Sequence, residues 1–186
     1  MAMKTQTILG VSLAAIFAIA MIVPVTASDS WLGVDDSNIV AKNKNTSTLT
    51  ITASDDIPKN AGEGVLAGFG WLYANGPDTV FAVTTHNPVR DSHQNPDKWH
   101  AHNVVLGGSA DAALADLCIH SLSGYVQAGI SIKDNIMTIN TGKNTLSGDL
   151  ADGALAFHIV NEPTACGETI LANGQPSGLN LGVIVQ

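Results

Sequence analysis

The sequence has little charge, and positive charge is the scarcer sign. Charged residues make up 13% of the 186 residues, and Arg90 is the only arginine. Eight Lys and Arg residues stand against 16 Asp and Glu residues, so the formal net charge is −8 at pH 7. Binding to nucleic acid depends on clustered Lys and Arg side chains that neutralise phosphates. We therefore expect no nucleic acid partner.

Long apolar runs are also rare. The sequence has a single one, at residues 8–23 near the N-terminus. Lys4 precedes this run, Pro24 ends it, and the small residues at 25–27 are typical of a signal peptidase site. We predict a signal peptide over residues 1–27, and a secreted or cell-surface location. An uncleaved membrane anchor is the alternative. Cleavage would remove Lys4, the only charge in the segment, and shift the net charge from −8 to −9, with no membrane contact expected afterwards.

The rest of the chain, residues 28–186, is rich in Gly, Thr, Ser and Asn and poor in Glu and Lys, which favours strands joined by turns over a helical bundle. We predict one all-β extracytoplasmic domain, an antiparallel β-sandwich or barrel of about eight short strands. Residues 29–45 are expected to be partly irregular, and residues 112–120 fit either a helix or a strand. The predicted strands are 47–52, 65–73, 79–85, 99–106, 125–132, 136–140, 155–160 and 179–185.

Cysteine is scarce too, with only Cys118 and Cys166 in the chain. An even number of cysteines in an exported protein indicates a disulfide bond. We predict that these two residues form one. In the alternative, the Cys118 thiolate is a metal ligand next to His120.

Histidine is the residue type with a notable distribution, since four of the six fall between positions 86 and 102. His100 and His102 are two residues apart on a predicted strand. Because side chains alternate along a strand, both imidazoles should leave the same face, with Cα atoms roughly 7 Å apart. That spacing allows two imidazoles to reach one metal ion.

The preceding predicted strand ends near His86, so antiparallel pairing across the loop 87–98 would bring His86 close to the pair. His93 lies in that loop and is a further candidate ligand. Imidazole suits copper and zinc. We therefore predict a copper or zinc site formed by His86, His100 and His102, with His93 as an additional ligand.

Other interpretations of these residues remain open. The histidines could lie on a polar strand face, either solvated or hydrogen-bonded to the loop that carries Asp91 and Asp97. The same two carboxylates could orient metal ligands or serve as general bases, so catalysis is left undecided. His120 and His158 are expected to be interior residues without a ligand role. The oxygen-rich segments 35–38 and 149–152 fit solvated turns better than calcium sites.

A second hypothesis belongs to another class of function. Export, low charge, polar strands and a single disulfide are all compatible with a structural or adhesive cell-surface or fibre subunit without catalytic activity. Exposed edge strands would then allow self-association between subunits.

The segments 84–86 and 99–102, together with the N-terminal apolar run, resemble uncharacterised exported proteins of ammonia-oxidising archaea. The resemblance covers most of residues 28–186. It implies a surface or pseudo-periplasmic location in a copper-dependent organism, which favours copper among the metals. It assigns no site residue.

Overall fold

The computed structural model describes residues 30–43, 46–60, 65–86, 99–112, 115–123, 126–142 and 145–186. In these ranges the regular structure is β-strand apart from one 3-10 turn, which confirms the predicted all-β class. The predicted signal segment 1–27 lies outside the described residues. In the described part of the chain, no helix has the length and apolar character needed to cross a membrane.

Ten strands form two antiparallel sheets, compared with the eight strands that we predicted. One sheet has four strands in the order β1-β2-β8-β7, and six strands close a barrel in the order β10-β6-β5-β4-β3-β9. The bounds are β1 Val34–Asn43, β2 Thr46–Ala53, β3 Leu66–Tyr73, β4 Gly76–His86, β5 His100–Ala112, β6 Ala115–Leu122, β7 Ala128–Lys133, β8 Ile136–Thr141, β9 Leu155–Asn161 and β10 Leu181–Val185.

The two additional strands are β1 and β6. The prediction that residues 29–45 are partly irregular is wrong for 34–43, which pair with β2 over the length of β1. Turn-favouring residues at 35–38 are tolerated because β1 is an edge strand, and their interpretation as a solvated turn is also wrong. Asp35 instead accepts a hydrogen bond from Ser54 Oγ at 2.6 Å. β6 resolves the ambiguous segment 112–120 as a strand, because pairing with both β5 and β10 closes the barrel.

The four-stranded sheet packs against the outer face of β3, β4 and β5, and we call the apolar region between them the intersheet layer. It combines residues of β2 and β8 with the odd-numbered residues of β3 and β4. The main side chains of the layer are Leu49, Ile51, Phe69, Trp71, Phe81, Val83, Trp99, Met137 and Ile139. Trp71 and Trp99 therefore belong to the core.

A second cluster fills the barrel interior and comes from alternate residues on the other face of the same strands. Its most buried members are Ala82, Val104, Ile119, Phe157 and Val183. Because successive side chains of a strand point to opposite faces, β4 and β5 each contribute to both regions.

β3 presents glycine to the barrel interior at two positions. A Cβ atom on Gly68 would lie 2.3 Å from the Val83 carbonyl oxygen, and one on Gly70 would lie 2.7 Å from Val80 Cγ1. The β3 and β4 backbones thus approach each other too closely for a side chain at 68. Glycine within a strand is typical of such close approaches and of tight bends in barrels. A narrow six-stranded barrel can therefore close at this edge.

The predicted disulfide is present. Cys118 of β6 is bonded to Cys166, with their Cα atoms 5.4 Å apart, so the interpretation of Cys118 as a metal ligand is wrong. The bridge attaches the segment between β9 and β10 to the barrel wall. Ile170 of that segment donates from its backbone N to the His120 oxygen at 2.9 Å, and its own oxygen accepts from Leu122 N at 2.9 Å.

Candidate metal centre inside the barrel

His100 and His102 lie side by side on the interior face of β5. Their ring centroids are 4.8 Å apart and the ring planes are inclined by 80°. They are 3% and 4% exposed. Like Val104, which belongs to the barrel interior, they occupy even-numbered positions of β5 and therefore share its face. The two-residue spacing thus correctly places both imidazoles on one face. The alternative in which the histidines are solvated is wrong, because both side chains are buried. The alternative of hydrogen bonds to the loop with Asp91 and Asp97 concerns residues outside the described ranges.

A hydrogen bond to a backbone carbonyl orients His102. Its Nδ1 lies 3.2 Å from the Ser123 oxygen. A carbonyl oxygen only accepts, so Nδ1 must donate its proton, and in the neutral imidazole the lone pair is then on Nε2. This arrangement, with one ring nitrogen donating to a carbonyl, is the usual support of a metal-binding histidine.

Ser123 is itself held in place by Asn103, the residue next to His102. Ser123 N donates to the Asn103 oxygen at 2.8 Å, and Asn103 N donates to Ser123 Oγ at 2.7 Å. Tyr73 Oη donates to Asn103 Oδ1 at 2.6 Å. The orientation of His102 therefore depends on a network that reaches from β5 to β3.

The neighbouring strand places a hydroxyl and a methyl group opposite the two histidines. In the β4–β5 ladder, Thr84 is the partner of His100, and Ala82 is the partner of His102. Thr84 is 4% exposed, and its Oγ1 has no hydrogen-bond partner in the described ranges. On the other side of β4, Thr84 pairs with Gly68, where the two backbones approach each other too closely for a side chain.

The pairing of β4 with β5 across the loop 87–98 is confirmed. His86 is the last residue of β4, two positions beyond Thr84, and its ladder partner on β3 is Leu66. His93 lies outside the described residues, as do Asp91 and Asp97. Among the side chains that the structure describes, no group of three or more His, Cys, Asp or Glu residues could hold a metal ion. The third ligand therefore remains a prediction.

The other two described histidines lie away from the pair. His120 is exposed on β6, so its predicted interior position is wrong. His158 is half-buried on β9, opposite Ala67 in one ladder and Ile184 in the other.

Sequence reasoning missed Thr84 and Ser123. Thr84 could have been found, because it lies two residues before His86, the candidate ligand at the end of the predicted strand. Ser123 contributes a backbone oxygen, and no side-chain pattern indicates that role.

Comparison with models of protein families, with curated proteins and with solved structures found no match to this chain. We therefore base the chemistry of the centre on the geometry of the histidine pair.

Proposed function

We propose that this protein is exported and binds one copper or zinc ion inside its barrel through His100, His102 and His86, with His93 as a further candidate ligand. The buried pair of His100 and His102, with ring centroids 4.8 Å apart, is the observation that carries the proposal.

The surroundings of the pair support a role other than packing. Most of the barrel interior consists of Ala, Val, Ile, Leu and Phe side chains. Two adjacent buried imidazoles are an exception in this interior, and imidazole pairs are the donor groups that copper and zinc bind.

The tautomer of His102 also supports metal binding. Donation from Nδ1 to the Ser123 oxygen directs the Nε2 lone pair away from the carbonyl. Neutral imidazole is the form that metals bind, and a fixed ring lowers the entropy lost on binding.

The register of β4 supports His86 as the third ligand. Thr84 lies opposite His100, and His86 lies two residues after Thr84, at the end of β4. Three protein ligands with one open position is a common arrangement for zinc and copper.

The disulfide supports the export part of the proposal. Disulfides persist in oxidising compartments and are rare in the reducing cytosol. The formation of Cys118–Cys166 therefore agrees with the signal peptide that we predict for residues 1–27. The resemblance to exported archaeal proteins favours copper over zinc.

Metal analysis tests the proposal. The chain, purified without chelators and loaded with copper or zinc, should retain about one equivalent of metal, as expected for a site of this kind. The double variant His100→Ala, His102→Ala should retain almost none. His120→Ala is the matched control, because it removes an exposed histidine of the same barrel, and it should retain the metal fully.

A wild-type chain that retains only traces of metal after loading would contradict the proposal. Equal retention by wild type and the double variant would contradict it as well.

The open edges of the four-stranded sheet favour a second candidate, a structural subunit that self-associates. β1 is a ten-residue edge strand on which Val40 is 50% exposed. Unpaired edges can add a strand from another chain. The register irregularities near both ends of β1 shorten the part of this edge that can pair regularly. Size-exclusion chromatography distinguishes this candidate, because a strictly monomeric chain at high concentration would count against it.

A further inference from the structure

The segment 162–180, which joins β9 to β10, lies along one seam of the barrel, and we call it the strap. This seam is the one between β6 and β10. The described ladder between these two strands sets Gly182 opposite Cys118 and Val183 opposite Leu117, and it is the shortest ladder of the barrel. Backbone pairing therefore closes the barrel less firmly here than at its other seams.

A threonine side chain of the strap takes the place of the next pair in this ladder. If the register continued, Leu181 would lie opposite Ile119. Instead, Thr169 Oγ1 donates to the Ile119 oxygen at 2.9 Å and accepts from Leu181 N at 3.2 Å. Thr169 is fully buried. The two barrel strands are thus joined at this point through a hydroxyl that belongs to neither of them.

Beyond Thr169 the strap replaces β10 as the neighbour of β6. The Ile170 oxygen accepts a hydrogen bond from Leu122 N at 2.9 Å. Leu122 is followed directly by Ser123, whose oxygen lies 3.2 Å from His102 Nδ1. The strap therefore completes the barrel wall at the end that contains the histidine pair.

Few apolar contacts hold the strap on the barrel. Its buried side chains are those of Glu162, Cys166 and Thr169, and residues 171–176 are exposed. None of its aliphatic side chains is fully buried. Segments with few buried apolar contacts are the ones that open locally while the rest of a protein stays folded. The disulfide from Cys166 to Cys118 of β6 is then the strongest attachment of the strap.

We propose that the strap is a gate at the histidine end of the barrel, that the Cys118–Cys166 disulfide holds it closed, and that reduction by a dithiol releases it. In this exchange the S–S bond of the protein is cleaved to two thiols. The dithiol supplies the two electrons and two protons and becomes a disulfide itself. Once the strap is released, the seam between β6 and β10 is held mainly by its short ladder, and it opens more often.

A gate gives small molecules a route to side chains that the closed barrel covers. His100 and His102 are almost fully buried, so a ligand of either imidazole has to cross the barrel wall. The strap lies at the nearest seam, because β5 carries both histidines and is the direct neighbour of β6. The inference concerns this route and does not require that the histidines bind a metal.

The experiment measures how fast diethyl pyrocarbonate modifies each imidazole of the metal-free chain, with peptide mass spectrometry as the readout. Full reduction by dithiothreitol should accelerate modification of His100 and His102 about 10-fold or more, because the rate for a buried group follows the population of the open state. His120 is exposed in the closed state and should react at an unchanged rate. Amide protons of β2 and β8 should stay protected from exchange, which distinguishes opening of the gate from unfolding of the chain.

Three threonine variants test the strap with the disulfide intact. Thr169→Val removes the hydroxyl between Ile119 and Leu181, leaves both backbone groups unpaired, and should accelerate histidine modification several-fold. Thr169→Ser retains the hydroxyl and should react like wild type. Thr141→Val is the matched control, because the buried Thr141 hydroxyl also joins two strands, accepting from Ser47 N at 3.0 Å and donating to Ser47 O at 3.1 Å in the four-stranded sheet. This variant should not change the rate.

Unchanged modification of His100 and His102 in a reduced chain that keeps β2 and β8 protected would overturn the inference. If reduction also removes the protection of β2 and β8, the oxidised variants decide, and equal rates for Thr169→Val and Thr169→Ser overturn it. Metal retention is measured separately, so the gate and the proposed metal site can each fail while the other stands.

Discussion

The intersheet layer and the barrel interior share three strands, β3, β4 and β5, yet the two faces of these strands differ in chemistry. Residues of β3, β4 and β5 that face the layer are mostly large and apolar. Those that face the barrel include small and polar residues beside the aliphatic Val80, Val104 and Leu106. Facing the layer are Phe69, Trp71, Phe81, Val83 and Ala101, and the small or polar residues facing the barrel are Gly68, Gly70, Ala82, Thr84, His100 and His102. A strand with two buried faces can thus place a polar group one residue away from the apolar core.

Aromatic contacts strengthen the intersheet layer. The rings of Phe69 and Trp99 stack with centroids 5.8 Å apart, and Trp31 meets Trp99 edge-on at 5.7 Å. Such pairs stabilise a protein beyond the burial of their apolar area. We therefore expect the layer to contribute most of the free energy of folding. The barrel interior can then contain polar groups although they contribute less to stability.

The largest test of this contrast replaces one phenylalanine from each region. Phe69→Ala should lower the free energy of unfolding toward the upper end of the ~3–5 kcal/mol range for buried aromatic residues, because Phe69 is fully buried between Trp31 and Trp99. Phe157→Ala, from the barrel interior, should cost less. Urea denaturation followed by circular dichroism measures both. If Phe157→Ala costs as much as Phe69→Ala, the layer is not the main source of stability.

Removing the disulfide should affect the barrel more than the four-stranded sheet. The bridge spans a sequence separation of 48 residues, and the chain-entropy model assigns such a loop about 4 kcal/mol, less any strain in the native state. Both of its cysteines belong to the barrel side of the molecule. In the variant Cys118→Ser, Cys166→Ser, amide hydrogen exchange should therefore accelerate more in β6 and β10 than in β2 and β8.

Two results would contradict this expectation. Equal acceleration in both sheets would show that the bridge does not act locally. Two free thiols per chain in protein from an oxidising compartment would show that the disulfide does not form.

Much of the fold follows from side-chain alternation in the sequence. The apolar residues Leu49 and Ile51, separated by threonines, correctly predict a half-buried β2. The β7–β8 hairpin turns at Asp134 and Asn135 as expected, with Asp134 at a positive φ of 55°. β1 was missed because an edge strand is held by backbone pairing and few of its side chains are buried, so no apolar pattern marks it.

The candidate metal centre was predictable only in part. A period of two places His100 and His102 together, whatever the fold. Which face of β5 turns inward depends on how the barrel closes, and that involves strands distant in sequence. The contributions of Thr84 and Ser123 depend on the pairing register and on a loop carbonyl, and neither is visible in a linear pattern of residue types.

The smallest expected effect compares the two neighbouring threonines. Thr85 is 0% exposed, and its hydroxyl, like that of Thr84, has no partner in the part of the chain that the structure describes. Replacing an unpartnered buried hydroxyl with a methyl group removes a desolvation cost, so Thr85→Val should raise the free energy of unfolding by about 1 kcal/mol. Thr84→Val should do the same in metal-free protein.

Thermal unfolding of wild type, Thr84→Val and Thr85→Val measures both differences. A Thr85→Val variant less stable than wild type would show that the layer contains a polar interaction and would weaken the contrast between the two regions.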